Sequence, residues 1–190
     1  MMRGMILDRG LEASAAPRDA RLLYMTLPYK ISTLLYCFDT EDRVLLMERA
    51  QEPNLGLWSP CGGKLHTDSG ESPYACACRE AAEELQLSIS SSALHLAGIV
   101  SEVGYQGQSH WLMFLFEVTE RLSKLPPPHR EGRFAFFRRD ELNDLSLPST
   151  DRERIWPWFW EFRGGFFAAH CECLEGGEHR WTLEEARAGR

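Results

Sequence analysis

Three carboxylates on one short helix constrain this chain more than any other feature. The stretch Gly62–Leu87 reads GGKLHTDSGESPYACACREAAEELQL, a glycine loop feeding a helix. Ser72 suits the N-cap and Pro73 the first helical position, and after about four turns the pattern dissolves at Ser88. At about 100° per residue, Tyr74, Ala75, Cys78, Ala81, Ala82 and Leu85 form an apolar stripe suited to a sheet, with Glu80, Glu83 and Glu84 on the opposite side. The acids stand at i, i+3 and i+4, and the positions four residues beyond them hold Glu84, Leu87 and Ser88 rather than Lys or Arg. Like charges at this spacing repel. Two accounts stay open: a solvated acidic face, or oxygens converging on a hard divalent cation such as Mg²⁺, which takes carboxylate, water and phosphate oxygens. The preceding loop favours the second, because its glycines let backbone approach phosphate or metal closely and it ends in another acid, Glu71.

Gly63, Glu71, Arg79, Glu80, Glu83 and Glu84 resemble the box of the Nudix hydrolase family: Gly, five residues, Glu, seven residues, Arg-Glu, an apolar residue, any residue, Glu-Glu, any residue, Gly and an apolar residue. The spacing from Glu71 to Arg79 and the string Arg79-Glu80-Ala81-Ala82-Glu83-Glu84 fit throughout. Two departures stand out. Seven residues separate Gly63 from Glu71, and Gln86 stands at the family's glycine. Loop closure tolerates extra length, whereas a left-handed helix end costs a non-glycine residue about 1 kcal/mol. Neither departure removes a carboxylate.

The resemblance implies an α/β (α+β) Nudix fold, a mixed central sheet sandwiched between helices, over residues 25–190. Residues 1–24 form an extension without sustained periodicity, expected to be loosely attached, and Met25 offers an internal start. A chain of 190 residues, 44% hydrophobic, supplies one domain with a substantial core. A net charge of −7 argues against holding a nucleic-acid polymer by phosphate neutralisation. No apolar run reaches the roughly 20 residues that cross a bilayer, so the expectation is a soluble, cytoplasmic protein, monomer or homodimer, acting on a small nucleotide. Of the six cysteines, Cys37, Cys61, Cys76 and Cys78 fall in core strands or the acidic helix, which suits reduced thiols. Cys171 and Cys173, beside His170 and His179, read better as a packed strand than as a zinc site.

Strands are expected at Lys30–Phe38 and Arg43–Glu48, paired as a hairpin, then at Leu94–Val103 and His110–Val118 about a turn at Tyr105–Gln108. Further strands at Arg133–Phe137, Gly164–Cys173 and His179–Leu183 follow, the last two joined through Glu175–Glu178. Pro126-Pro127-Pro128 marks a loop. Ser149–Glu161 reads as an amphipathic helix with a buried aromatic face, kinked at Pro157.

The order of Leu147-Pro148, aromatic helix, Gly165-Phe166-Phe167, strand, glycine turn and strand is similar to the MutT-like group, the 8-oxo-dGTP diphosphatase type, over Thr26–Ala186. Base-reading positions carry over incompletely: Ser59 stands for an asparagine, and Ser149 and Thr150 for paired aspartates, with Asp151 one place later. Hydroxyls read a purine edge more weakly than carboxylates and amides. The resemblance further implies Mg²⁺, or Mn²⁺ in its place, held by Glu80, Glu83, Glu84 and the Gly63 carbonyl, with Arg79 orienting the carboxylates. Glu83, Glu80 or Glu131, the acid ahead of the aromatic strand, is the general base. Arg49, Trp58, Ser59, Lys64 and Asp151 are the substrate-binding candidates; Trp58 with the aromatics around Phe136 and Trp156 offers a stacking slot, against the commoner reading of buried aromatics as core. The implied reaction releases nucleoside monophosphate and pyrophosphate from a nucleoside triphosphate, an oxidised purine deoxynucleotide included. The alternatives are another nucleoside diphosphate-linked compound, such as a nucleotide sugar or dinucleoside polyphosphate, and a nucleotide-sensing module without turnover.

Overall fold

The computed structural model describes residues 27–189, and the expected extension 1–24 lies outside them. Its strands are β1 (Tyr29–Asp39), β2 (Val44–Arg49), β3 (Trp58–Ser59), β4 (Leu94–Tyr105), β5 (Ser109–Leu122), β6 (Gly132–Phe137), β7 (Phe166–Cys173) and β8 (His179–Arg187). They form one mixed sheet in the order β3-β2-β1-β5-β4-β7-β8, with β6 paired to β2. The β1–β5 and β4–β7 pairs are parallel; the rest are antiparallel.

Side-chain alternation along each strand assigns the two faces. On one face Tyr36, Phe38, Val44, Leu46, Met113, Leu115 and Phe167 share a core; on the other, Leu35, Cys37, Leu45, Met47, Phe116 and Val118 share a second. Helix α1 (Pro73–Leu85) covers the second core with Ala77, Ala81 and Leu85. Helix α2 (Trp156–Glu161) covers the first, where Phe159 stacks on Tyr36 at 4.3 Å and Trp156 meets the same ring edge-on at 4.9 Å. The sheet is thus sandwiched between helices.

The expected hairpin between the first two strands shrinks to one register pair, Phe38↔Val44. β1 instead runs parallel to β5 from Tyr29↔His110 to Asp39↔Leu122. A strand buried on both faces belongs in the centre of a sheet, where parallel pairing is stable. The turn at Tyr105–Gln108 and the hairpin through Glu175–Glu178 form where the glycines place them, although β8 extends to Arg187.

Ser72 caps α1, its hydroxyl accepting the Ala75 N–H at 3.1 Å, and Gln86 closes it in the left-handed region at φ 54°. The buried stripe differs from the expected one. Cys76, Ala77, Glu80, Ala81, Glu84 and Leu85 are buried, whereas Tyr74 is 39% exposed and Ala75 and Ala82 face outward. The small Ala77 and Ala81 let the helix lie close to the sheet, and that rotation carries Glu80 and Glu84 against the glycine loop. The second expected helix also divides. A π-helical turn, Asp151–Ile155, precedes α2, accommodating the N–H that Pro157 cannot donate.

Among the described residues no helix is long and apolar enough to cross a membrane. The six cysteines are free thiols. Cys171 and Cys173 are buried with their sulfurs 3.9 Å apart, and among the described residues no group of three or more His, Cys, Asp or Glu forms a ready metal cage there or elsewhere.

Candidate active site

A cleft of about 370 Å³ gathers residues from β1, the loop after β2, the glycine segment, α1, β4, β5, the start of β6 and the π-helical turn. At one end lie Glu80 and Glu83 of α1, while Glu84 is buried and not among the lining residues. Arg79 is their organiser. It donates from Nε to Glu71 Oε1 at 2.8 Å and from Nη2 to Glu71 Oε2 at 3.0 Å, and its Nη1 reaches Glu80 Oε1 at 2.6 Å and Glu83 Oε2 at 3.3 Å. Nη2 also donates to the Lys64 carbonyl at 3.1 Å, fastening the helix to the loop. Such a planar fork holds several carboxylates in fixed orientation. The guanidinium holds the Glu71 carboxyl far below its ordinary range, at about 2.

Glu84 is fastened separately, its Oε2 accepting the Gly62 N–H at 2.9 Å. Gly63 is needed for close approach, since a Cβ there would fall on the Glu80 carboxylate. The Gly63 carbonyl accepts the Thr33 N–H at 2.9 Å and the Cys76 thiol at 3.6 Å, which anchors it to β1 and to α1.

Burial pushes the Glu84 carboxyl up to about 8, and the charges of Glu80 and Glu131 add to the shift. Glu80 is raised by burial and by Glu83 and Glu131, against the lowering influence of Arg79. Glu131 lines the same cleft, and its charge bears on Glu80 and Glu84. Four carboxylates beside the single guanidinium of Arg79 present hard oxygen donors of the kind that suit Mg²⁺ or Mn²⁺. Glu83 keeps 59% of its side chain exposed and lines the cleft.

The other candidates divide. Arg49, Ser59, Lys64 and Asp151 line the cleft, with Arg49 Nε held by the Pro53 carbonyl at 2.9 Å. Trp58 is a correction: it is buried edge-on against Phe137 at 4.8 Å, beneath the Arg133 guanidinium, and is not among the cleft-lining residues. Its strand pairs with β2, which turns the indole into the core. Trp156 is likewise core, and Phe136 packs under Arg43, so these aromatics follow the core reading rather than the stacking slot.

The far end of the cleft holds Glu102, Tyr105, Trp111 and Met113, which the sequence did not single out as site residues, with Thr150 and Asp151. Tyr105 donates its hydroxyl to Asn54 Oδ1 at 2.7 Å, closing the wall between β4 and the loop after β2. Glu102 is only 3% exposed, and burial followed by the Asp151 charge pushes its carboxyl up to about 8. Burial alone takes Asp151 to about 7. An acid on the inward face of an otherwise apolar strand was the available signal.

Known proteins resemble this chain. A family model described as the NUDIX domain matches residues 28–162. A MutT protein from Bacillus halodurans has a similar structure, with a TM-score of 0.65 and 23% identity over 82% of this chain and 97% of that one. A MutT NUDIX hydrolase from Burkholderia pseudomallei is 26% identical, with a TM-score of 0.54 over 67% of this chain and 95% of its own. The NUDIX domain of Shewanella oneidensis NrtR, solved with ADP ribose, superposes with a TM-score of 0.54 at 14% identity, over 80% of this chain and 96% of that one.

Proposed function

The chain belongs to the Nudix family of hydrolases, and we propose that it cleaves a nucleoside triphosphate to nucleoside monophosphate and pyrophosphate with the help of Mg²⁺. One observation carries this reading: a single cleft joins an acidic end on α1 to an enclosed end walled by Tyr105, Trp111 and Met113. The first suits a cation and phosphates, the second a base.

Glu80, Glu83, Glu84 and the Gly63 carbonyl would hold the cation, with Glu131 beside them. When bound, Mg²⁺ neutralises phosphate charge and acidifies water. Arg79 keeps the carboxylates aimed and is itself a positioning residue, because its donors are committed to Glu71, Glu80, Glu83 and the Lys64 carbonyl. Arg49 and Lys64, on the cleft wall, supply positive charge for the phosphates. Glu83 is the best placed acid to take a proton from water attacking phosphorus: it is the most solvated of the helix carboxylates and its bond to Arg79 is the longest. The proton leaves on its Oε, and the bond from phosphorus to the bridging oxygen breaks toward pyrophosphate.

Phosphate and pyrophosphate release measured across nucleoside triphosphates, nucleotide sugars and dinucleoside polyphosphates, with Mg²⁺ and with Mn²⁺, tests the reading. Pyrophosphate from a triphosphate supports it. Release only from sugar-linked or dinucleoside compounds transfers the activity to another nucleoside diphosphate derivative, and nucleotide binding without turnover makes the chain a sensing module. Unchanged turnover in Glu83→Gln refutes the assignment of the base.

A further inference from the structure

The glycine segment lies along β1 like a short strand: the Thr33 N–H bonds the Gly63 carbonyl at 2.9 Å, the Leu35 N–H the Cys61 carbonyl at 2.7 Å, and the Leu65 N–H the Ile31 carbonyl at 3.0 Å. Those bonds fix its register on the sheet. Arg79 and Glu84 tie its neighbours, Lys64 and Gly62, to α1. Gly63 itself is tied to α1 by Cys76, a buried side chain one helical turn ahead of Arg79 and Glu80. The Cys76 sulfur lies 3.6 Å from the Gly63 carbonyl oxygen, 3.4 Å from Thr33 Oγ1 and 3.4 Å from Arg79 Nη2.

Donor and acceptor valences place the protons. A carbonyl only accepts and a guanidinium only donates, so the single thiol proton goes to Gly63, and the sulfur lone pairs receive Arg79 and the Thr33 hydroxyl. Thr33 thus reaches the Gly63 carbonyl twice, directly through its N–H and by way of the sulfur through its hydroxyl. Thiol bonds are individually weak, but these meet in a buried junction. Without the sulfur, the buried Thr33 hydroxyl loses this acceptor and the Gly63 carbonyl loses its donor from the helix.

We propose that Cys76, backed by the Thr33 hydroxyl, is a positioning residue that holds the Gly63 carbonyl in step with Glu80 as a ligand for the divalent cation. The inference rests on the metal-dependent hydrolase reading above and deepens its acidic end. A carbonyl held by one bond swings about it, and a second bond from a different element sets its direction. Here the second bond comes from α1 itself, so the carbonyl follows the helix that carries Glu80 and Glu84. Groups that orient a metal ligand act on affinity for the ion through that ligand. Cysteine suits the place because it is small enough to lie against β1 and offers both a donor and acceptors; serine keeps both functions, whereas alanine keeps neither.

The test titrates the full chain with Mn²⁺ alone, without nucleotide, following free Mn²⁺ by electron paramagnetic resonance well below the melting temperature of each variant. Cys76→Ala should bind Mn²⁺ about fivefold more weakly or worse, toward the lower end of what loss of an orienting partner costs, and Cys76→Ser should return to within about twofold of the wild type. Both variants give up the bulk of the sulfur, so packing alone moves their affinities together, and weakening of equal size in Cys76→Ala and Cys76→Ser overturns the proposal. Affinity unchanged in Cys76→Ala overturns it as well. If Cys76→Ala does not fold, Thr33→Val carries the comparison, since it keeps the volume and the N–H and removes only the hydroxyl: a loss of about twofold or more supports the proposal and no loss refutes it. Nucleotide turnover, measured beside the titration, separates the two readings. Mn²⁺ binding that weakens in Cys76→Ala with no nucleotide hydrolysed leaves the positioning role standing while the hydrolase reading fails. Hydrolysis by the wild type with equal Mn²⁺ affinity in Cys76→Ala does the reverse, and a wild type that binds no Mn²⁺ overturns both.

Discussion

Arg79 and Glu71 are joined by two near-parallel hydrogen bonds, at 2.8 and 3.0 Å, across eight residues of sequence that span the junction of loop and helix. The pair makes the glycine loop and α1 one rigid unit, since the remaining donors of the same guanidinium reach Glu80, Glu83 and the Lys64 carbonyl. Lysine keeps the charge but not the fork. Arg79→Lys should therefore lower kcat about 10- to 100-fold, as loss of an orienting partner around a metal site does. Denaturant unfolding should show a loss of about 2 kcal/mol from unmade charged hydrogen bonds.

Acid stability should report the same pair. The Glu71 carboxyl is held at about 2 against an ordinary 4.5, so the folded state binds the proton more weakly than the unfolded chain. Its contribution is fully present above about pH 4.5 and is lost as pH falls toward about 2. Urea midpoints followed across that window should fall more steeply for the wild type than for Glu71→Gln.

The enclosed end should show the opposite sign. Burial lifts Glu102 to about 8 and Asp151 to about 7, so the folded state favours their neutral forms. Stability is then greatest below the unfolded carboxylate range and declines as pH rises toward about 8. Glu102→Gln should flatten that decline and raise the melting temperature at pH 8, measured without nucleotide. A decline as steep in the variant as in the wild type would assign it to other groups.

Gly63→Ala places a methyl group on the Glu80 carboxylate. Overpacking of this kind costs about 1–3 kcal/mol, and the displaced carboxylate should raise the Mg²⁺ concentration for half-maximal turnover at least tenfold. Titration of activity with Mg²⁺, beside a thermal melt, checks both.

Trp58→Phe discriminates between core and substrate contact. With its indole packed on Phe137 and away from the cleft lining, the substitution should lower the melting temperature and leave KM within about twofold, since core truncations act through packing. A large rise in KM with little loss of stability would return Trp58 to the site.

The acidic end was legible in the sequence because its residues are local. Glu71, Arg79, Glu80, Glu83 and Glu84 lie on one loop and one helix, so spacing alone brings them together. The rotation of α1 was less legible: counting apolar residues favoured Tyr74, Ala75 and Ala82, but the sheet selected Ala77 and Ala81, whose small size permits close packing. The enclosed end was legible only at Asp151, for a topological reason. Glu102, Trp111 and Asp151 meet only because β4 pairs with β5 and the chain returns over that face, and no short-range pattern encodes the encounter. The first hairpin shortened because β1 is central and needs β5 on its flank.

The two ends of the cleft are borne by different parts of the chain, the acids by one helix and its loop, the enclosed wall by strands and a turn on the other side of the sheet. The two ends are thus separately editable. A substitution at Glu102 or Trp111 can reshape the enclosed wall while the loop and helix that carry the acids stay as they are.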